Sequence, residues 1–454
     1  MKSNEINRRR FIGTVAVASA GIATSGFTPI FGRSRDTADK LAILGGNPVR
    51  SNKSWPAWPY MDDNVVASIE RTVRGRAWCR IDDGANSVVN FEKEWAAMLG
   101  AKHCVATGAG TQALNACVEA LGIGPGDEVI TSPYTDMGTI SSIICARALP
   151  VMVDIDRESF QLDPAIVAKR INANTKALMP IHIMGQPCDM DSILALAKKH
   201  NLYVIEDACQ AHLGEYRGKK LGTVGDVGCF SHQTSKTICC GEGGSIVGND
   251  DSLMDQCFTV MNHGSSRRGK HEIIGNKMRM NELEGAILVA QLVNAKEQWK
   301  LRNDNAAYLT SKLKACPGVV PQKLYDGYES GSWYLYTMGY RKEHFNNASR
   351  AVFLKALAAE GVSISPYIRN GLHQEPWVEH ILGLKEYKTM YSPERLKQYR
   401  EELPCPVCDV ICNEEMLMLW ASGPLLGAKD DMDDIVNAIM KLYKNRDQLV
   451  QVNV

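Results

Sequence analysis

From about residue 100 the chain alternates short, continuously apolar runs with stretches of helical period. Cys104–Ala106 leads into Gly108-Ala-Gly-Thr111 and a helical pattern through Leu121. Glu128–Ile130 is followed by a helical stretch to Ala148, and Pro150–Val153 ends at Asp154. Ala177–Pro180 precedes a turn at Gly185 and a helix from Met190 to His200, and Leu202–Ile205 ends at Glu206-Asp207. Val227–Phe230 and Ser245–Val247 complete the set. Strands alternating with helices at this spacing predict an α/β fold with a mostly parallel sheet covered on both faces. In such sheets ligands bind beyond the carboxyl ends of the strands.

After Met280 a long helical pattern runs through Leu283, Ala286, Val289 and Leu292 to about Leu309. Beyond it the pattern predicts a smaller α+β domain. Its strands lie near Tyr334–Tyr336 and Val362–Ile364, and its helices over Ser349–Glu360 and Asp431–Lys444. The expected division is a leader over 1–39, a large domain over 40–300 and a small domain over 301–454.

Composition narrows the class. Lys+Arg and Asp+Glu balance at 51 each, with no basic tract in the folded part, so nucleic acid is not an expected partner. After residue 40 no apolar run has the length of a membrane span. Before it, Arg8-Arg-Arg-Phe-Ile12 precedes a mildly apolar stretch, Gly13–Gly26. That layout is a secretory signal, and its arginine pair resembles the twin-arginine type that exports folded proteins; a plain basic leader is the alternative. Fourteen cysteines pull against an oxidising destination. Cys405, Cys408 and Cys412 form the tightest group, open to zinc or a disulfide, but with no second pair and no adjacent histidine they read as incidental to a loop. No metal site is expected.

The candidate chemistry lies at strand ends. Lys236 follows the run Val227–Phe230 among small polar residues and precedes Gly241-Glu-Gly-Gly244. Partial burial would lower its pKa and suit it to forming an imine with a carbonyl; alone, it would read as a solvated loop lysine. Asp207 ends a very apolar strand, where an unpaired carboxylate is strongly unfavourable. It requires a cation, either an Arg or Lys side chain or a protonated ring nitrogen. Gly110-Thr111 opens a helix directly after a strand, which is a phosphate cradle or an ordinary cap. Gln210, His212 and Ser231 lie nearby in the chain.

Together these stretches resemble the pyridoxal-phosphate sugar aminotransferases named after DegT, DnrJ, EryC and StrS. The resemblance spans about residues 40 to 445. It rests on the order of Leu44–Arg50, Gly110–Leu114, Gly126–Ile130, Val204–Ala211, Phe230–Lys236, Gly241–Gly244 and Arg279–Leu283. Leu44–Arg50 and Trp55–Pro59 look closest to the branch acting on keto-cyclitols. The resemblance implies a fold-type-I homodimer with active sites shared between subunits. It implies that Lys236 binds the cofactor as an imine and moves the proton, and that Asp207 keeps the pyridine nitrogen protonated. Gln210 would lie near the ring's phenolic oxygen, and Gly110, Thr111 and Ser231 would hold the phosphate.

Two positions depart from the family pattern. Where a neighbouring subunit usually offers asparagine to the phosphate, this chain has Lys277 beside Asn276. Where an aromatic side chain usually stacks on the ring, it has Asp136, with Tyr134 two positions away. Tyr367 and His373 fall where the family places substrate-facing residues; packing is the alternative for both. The expected activity is transfer of an amino group from glutamate or glutamine to a keto group on a sugar or cyclitol. Family members that dehydrate carry histidine in place of the lysine, and Lys236 argues against that reaction. A cofactor-binding regulatory protein without turnover is the reading that Asp136 keeps open.

Overall fold

The structure is a computed structural model and describes residues 40–452. The leader with its arginines therefore lies outside the described residues. Two helices, α1 (Asp63–Gly75) and α2 (Ser87–Leu99), precede the sheet. The sheet region then runs β1 (His103–Thr107), α3 (Gly110–Ala120), β2 (Glu128–Thr131), α4 (Met137–Cys145), β3 (Leu149–Met152), α5 (Pro164–Arg170), β4 (Thr175–Leu178), α6 (Met190–His200) and β5 (Tyr203–Asp207). A two-strand excursion follows, β6 (Glu215–Tyr216) and β7 (Lys219–Lys220), before β8 (Val227–Ser231), β9 (Gly244–Gly248) and α7 (Asp251–Met261).

Seven strands form the central sheet in the order β1-β9-β8-β5-β4-β2-β3. From β8 to β3 neighbours are parallel; β9 runs antiparallel to both β8 and β1. Strands buried on both faces have no polar side, which is why they stand out as continuous apolar runs. Successive residues still divide between two cores. Ala106, Ile130, Val204, Phe230 and Val247 face the core closed by α2, α5, α6 and the start of the next long helix. Val105, Val129, Ile205, Cys229 and Ile246 face the core closed by α3, α4 and α7. This period-two alternation decides the fate of the two adjacent acids that end β5. Glu206 points to the α2/α6 side. There it accepts hydrogen bonds from the backbone N–H of Gly222, Val224 and Gly225 and pairs with His182 Nε2 at 2.8 Å. Asp207 points to the α3 side, and so does Ser231 at the end of β8.

Helix α8 (Glu282–Leu313) starts with a capping box, Asn281 accepting from the Glu284 N–H and the Glu284 side chain accepting from Asn281 N. Thirty-two residues long, it carries the chain from the central sheet into the smaller domain. After it come β10 (Val319–Pro321), β11 (Tyr328–Ser330), β12 (Leu335–Tyr340), α9 (Arg350–Ala359), α10 (Trp377–Gly383), α11 (Lys385–Met390), α12 (Pro393–Glu402), α13 (Pro406–Val410), β13 (Met416–Trp420) and α14 (Lys429–Lys444). The small domain's sheet is β10-β12-β13, antiparallel throughout, while β11 joins β6 and β7.

Three features differ from expectation. Val362–Ile364 is not a strand: the edge beside β12 is taken by β13, and residue 365 makes a single bridge to Met418. Cys405–Cys412 is not a loop but helix α13 and the wider turn after it, with Pro406 at its start. Its three thiols are buried, and no group of three metal ligands occurs among the described residues. The two cores also interleave along the chain. Leu41 packs in the small-domain core, while α10–α12 lie on α4 and β3 of the large sheet. There Tyr387, Tyr391 and Tyr399 donate their phenol O–H groups to the carbonyls of Ala148, Asp127 and Pro150, at 2.9, 2.6 and 2.9 Å. The bonds to Ala148 and Pro150 cover carbonyl groups at the β3 edge that would otherwise be open to another strand, while the Asp127 carbonyl also accepts from Leu149 N at 2.9 Å. No helix among the described residues is long and apolar enough to cross a membrane.

Candidate active site

At the carboxyl ends of β5 and β8 lies a cavity of about 400 Å³. Its walls bring together Gly110, Thr111, Asp136, Asp207, Gln210, Ser231 and Lys236, from four separate stretches of chain. Tyr334, Tyr367 and Trp420 close it from the small domain.

Lys236 sits on the connection between β8 and β9. Because β9 returns antiparallel, this loop stays at the same sheet edge as Asp207. The loop is tied from four directions. Trp58 Nε1–H donates to the Thr234 carbonyl at 3.0 Å, and Ser422 Oγ–H to the Ser235 carbonyl at 2.9 Å. The Tyr334 hydroxyl lies 2.9 Å from Ser235 Oγ. On the far side His212 Nδ1 is 3.1 Å from Thr237 Oγ1, and His232 Nδ1 is 3.1 Å from the Ile238 carbonyl. Burial lowers the pKa of both histidines, that of His232 to about 4, so the pair stacks as neutral rings 5.2 Å apart. Lys236 itself is 9 % exposed. Its Nζ lies 4.2 Å over the Tyr334 ring and, among the described residues, meets no carboxylate.

Asp207 is 4 % exposed. Its Oδ2 accepts from the Thr139 hydroxyl at 2.7 Å and its Oδ1 from the Cys209 N–H at 3.1 Å. Among the described residues no Arg or Lys pairs with it, so the side-chain salt bridge left open by the sequence is not what satisfies this charge. Two buried, opposite charges thus face one cavity, each without an ionic partner. That is unfavourable unless a group with both a cation and a carbonyl enters.

The other end of the cavity suits a phosphate. Helix α3 opens toward it with Gly110 and Thr111. A Cβ on Gly110 would lie 2.8 Å from Ser231 Cβ and 3.0 Å from Cys209 Sγ, so only glycine lets the helix end approach β8 this closely. Gly244, starting β9, is held as tightly: a Cβ there would stand 2.3 Å from the Ala109 carbonyl oxygen. The backbone N–H groups of α3 and the hydroxyls of Thr111 and Ser231 make an anion cradle. The residues therefore fit pyridoxal phosphate at the ring nitrogen, at the aldehyde and at the phosphate.

The remaining candidates divide. Gln210 is buried; its Oε1 accepts from Met184 N at 2.7 Å and its Nε2 donates to the Tyr367 hydroxyl at 2.9 Å, which places Tyr367 on the cavity wall. Asp136 lines the cavity but is the N-cap of α4, accepting from Gly138 N at 2.8 Å, and is exposed. Tyr134 does not take its place over the ring, being fully buried edge-on to Tyr367 at 6.3 Å. His373 does not reach the cavity. A tight turn folds it inward, 7 % exposed, with Nε2 3.1 Å from Asp409 Oδ1. Asn276 and Lys277 are exposed and outside this cavity. Residues that the sequence reading missed are Thr139, Cys209, Tyr334, Trp420 and Ser422. Trp58 lies in the Trp55–Pro59 segment already noted, but nothing in the sequence joined it to the lysine loop.

Comparison with known proteins gives one family. The model of the DegT/DnrJ/EryC1/StrS aminotransferase family matches residues 61–416. An L-glutamine:2-deoxy-scyllo-inosose aminotransferase of Streptoalloteichus tenebrarius is 33 % identical over 429 residues, covering 90 % of this chain and 99 % of that one. A pleiotropic regulatory protein of Geobacillus stearothermophilus is 36 % identical over 331 residues, 72 % of this chain and 86 % of its own. Among solved structures, 3-amino-5-hydroxybenzoic acid synthase superposes with a TM-score of 0.75 at 27 % identity, covering 86 % of this chain and 99 % of that one.

Proposed function

The chain belongs to the DegT/DnrJ/EryC1/StrS aminotransferase family, and from that premise we propose that it moves the amino group of L-glutamine to a ring ketone of a cyclitol or sugar. The cofactor is pyridoxal phosphate, which when bound supplies an electron-poor ring that accepts the electron pair released when the donor carbon loses its proton. The chain's residues do the rest. Lys236 Nζ takes that proton and returns it at the neighbouring carbon, from a loop braced on both sides. The Asp207 carboxylate holds a proton on the ring nitrogen through a charge-assisted bond. Thr111, Ser231 and the start of α3 would hold the phosphate, and Gln210, bonded to Tyr367, would lie near the ring's phenolic oxygen. The observation that carries this reading is the pair of buried, ion-unpaired charges, Lys236 and Asp207, facing one cavity. The name of the Streptoalloteichus relative supports glutamine as donor and a keto-cyclitol as acceptor.

The test is spectroscopic. Purified protein is expected to be yellow, to change its absorption when glutamine is added, and to recover it when a keto-ring is supplied. Colour without any donor-induced change would instead favour a binding protein of regulatory type, and a colourless protein incapable of taking up the cofactor would remove both readings.

The enzyme works as a homodimer with shared sites in this reading. Supporting it, Asn276 and Lys277 are exposed beside Ile273 and the fully exposed Ile274, an apolar pair suited to contact with a second copy. Export in folded form, suggested by Arg8–Ile12, is also part of the proposal. Cell fractionation of the tagged chain is expected to find it outside the cytoplasm, and the Arg8→Lys, Arg9→Lys variant inside. If both stay cytoplasmic, export fails.

A further inference from the structure

We infer that Trp420 is the platform on which the acceptor ring lies, and that this acceptor is a free polyhydroxylated keto-ring without a phosphate. The inference rests on the aminotransferase reading above.

Met416 to Leu419 of β13 are all buried, yet Trp420, the next residue, leaves 47 % of its surface open at the cavity mouth. The indole is not loose. The pairing of β12 with β13 sets Trp420 opposite Leu335, and the Tyr334 ring meets the indole edge-on at 5.8 Å and 83°. Tyr334 is in turn held by its contact with Ser235, and its ring carries Lys236 Nζ at 4.2 Å. Lysine, tyrosine and tryptophan thus run in sequence from the reacting amine to the cavity mouth. A ring whose ketone is presented at Lys236 extends along that line and reaches the indole.

The chemistry of such a ring matches the surface. With its hydroxyls equatorial, a cyclitol or pyranose exposes a face of axial C–H bonds, which lies on an aromatic plane while the hydroxyls stay at the rim. Charge then limits what the ring bears. Among the described residues the cavity wall has three carboxylates, Asp136, Asp207 and Glu242, and one cation, Lys236; no arginine lines it. Asp136 and Glu242 are exposed. A phosphate or diphosphate ester on the acceptor would meet the exposed Asp136 and Glu242 and find no guanidinium fork among the described residues of this wall, whereas an uncharged polyol meets neither penalty.

Trp420→Ala and Trp420→Phe holoenzymes separate the possibilities. The glutamine half-reaction, followed by absorption, is expected to stay within about twofold of wild type, because a flexible glutamine side chain has no rigid face of C–H bonds to lay on the indole. The concentration of 2-deoxy-scyllo-inosose that half-saturates the return half-reaction is expected to rise about tenfold in the alanine variant and less in the phenylalanine one. Calorimetric binding of scyllo-inositol, which has no ketone to react, is expected to weaken in parallel. Equal impairment of both half-reactions, unchanged scyllo-inositol binding in Trp420→Ala, or tighter binding of a nucleotide-diphosphate keto-hexose than of the free ring each overturns the inference. If glutamine changes no absorption even in wild type, the aminotransferase reading has failed by itself, and scyllo-inositol binding still decides the platform.

Discussion

Lys236→Ala is expected to abolish transamination while leaving a folded protein that still binds the cofactor, more weakly. Proton transfer by a positioned group contributes about 10² to 10⁴ in rate, and the covalent role of the same amine adds to that. Among the described residues no second lysine lines the cavity, so no other amine there can take over the proton. The fold is expected to survive because the loop's ties involve other residues: the Thr234 and Ser235 carbonyls, Thr237 and the Ile238 carbonyl. Alanine also removes a buried amine that meets no carboxylate, so the melting temperature of the cofactor-free variant should equal or exceed that of wild type. Single-turnover absorption with saturating glutamine measures the loss. Borohydride reduction of the native holoenzyme, followed by peptide mapping, is expected to fix the cofactor on Lys236. Attachment at another lysine would falsify the assignment.

The sheet could be read from the chain because its strands are buried on both faces, so apolar continuity alone marks them. Helix α6 has the expected bounds, Met190–His200; Asp189 caps its start and Asn201 ends it in the left-handed conformation. The small domain was harder. The strand beside β12 comes from Met416–Trp420, about eighty residues further on, and no local pattern announces such a partner. Val362–Ile364 has the composition of a strand, but the chain meets the edge strand β13 only at the bridge of residue 365 to Met418.

The site shows the same division. Asp207, Ser231, Thr111 and Lys236 stand at strand ends, where linear sequence and topology coincide. Which of the adjacent acids faces the cavity depends on the parity of β5, and that is fixed by which core Ile205 enters. His373 lies six residues after Tyr367, and only the latter reaches the cavity, because the turn over Leu372–Gln374 directs the histidine to Asp409. The residues that shape the acceptor side, Tyr334 just before β12 and Trp420 at the end of β13, are set by a pairing that no local pattern announces. Asp136 stands out in the sequence as a departure from the family pattern, but its work as the cap of α4 depends on where the helix starts. The cap satisfies an N–H at the helix terminus, typically worth about 1 kcal/mol, so this carboxylate has a structural use whatever it does for the cofactor.

Asp207→Asn is expected to keep the fold and the cofactor and to lose activity by about 10² to 10³ or more, the range found when one preorganised electrostatic group is removed. The change is nearly isosteric. The amide oxygen still accepts from Cys209 N, and the amide NH₂ faces Thr139, whose hydroxyl lies 2.8 Å from Thr135 Oγ1 and can turn to accept. What is lost is the negative charge alone. Without it the ring nitrogen has no anion to hold its proton, and the ring withdraws electrons less well. Stability offers a second readout with an opposite sign. In the cofactor-free protein Asp207 is a buried carboxylate with no cation, so asparagine should raise the melting temperature. With cofactor bound the charge is matched in wild type, and that advantage should vanish or reverse. Near-normal turnover, with the same shift in melting temperature whether or not the cofactor is present, would make Asp207 a strand-end residue with no part in the chemistry.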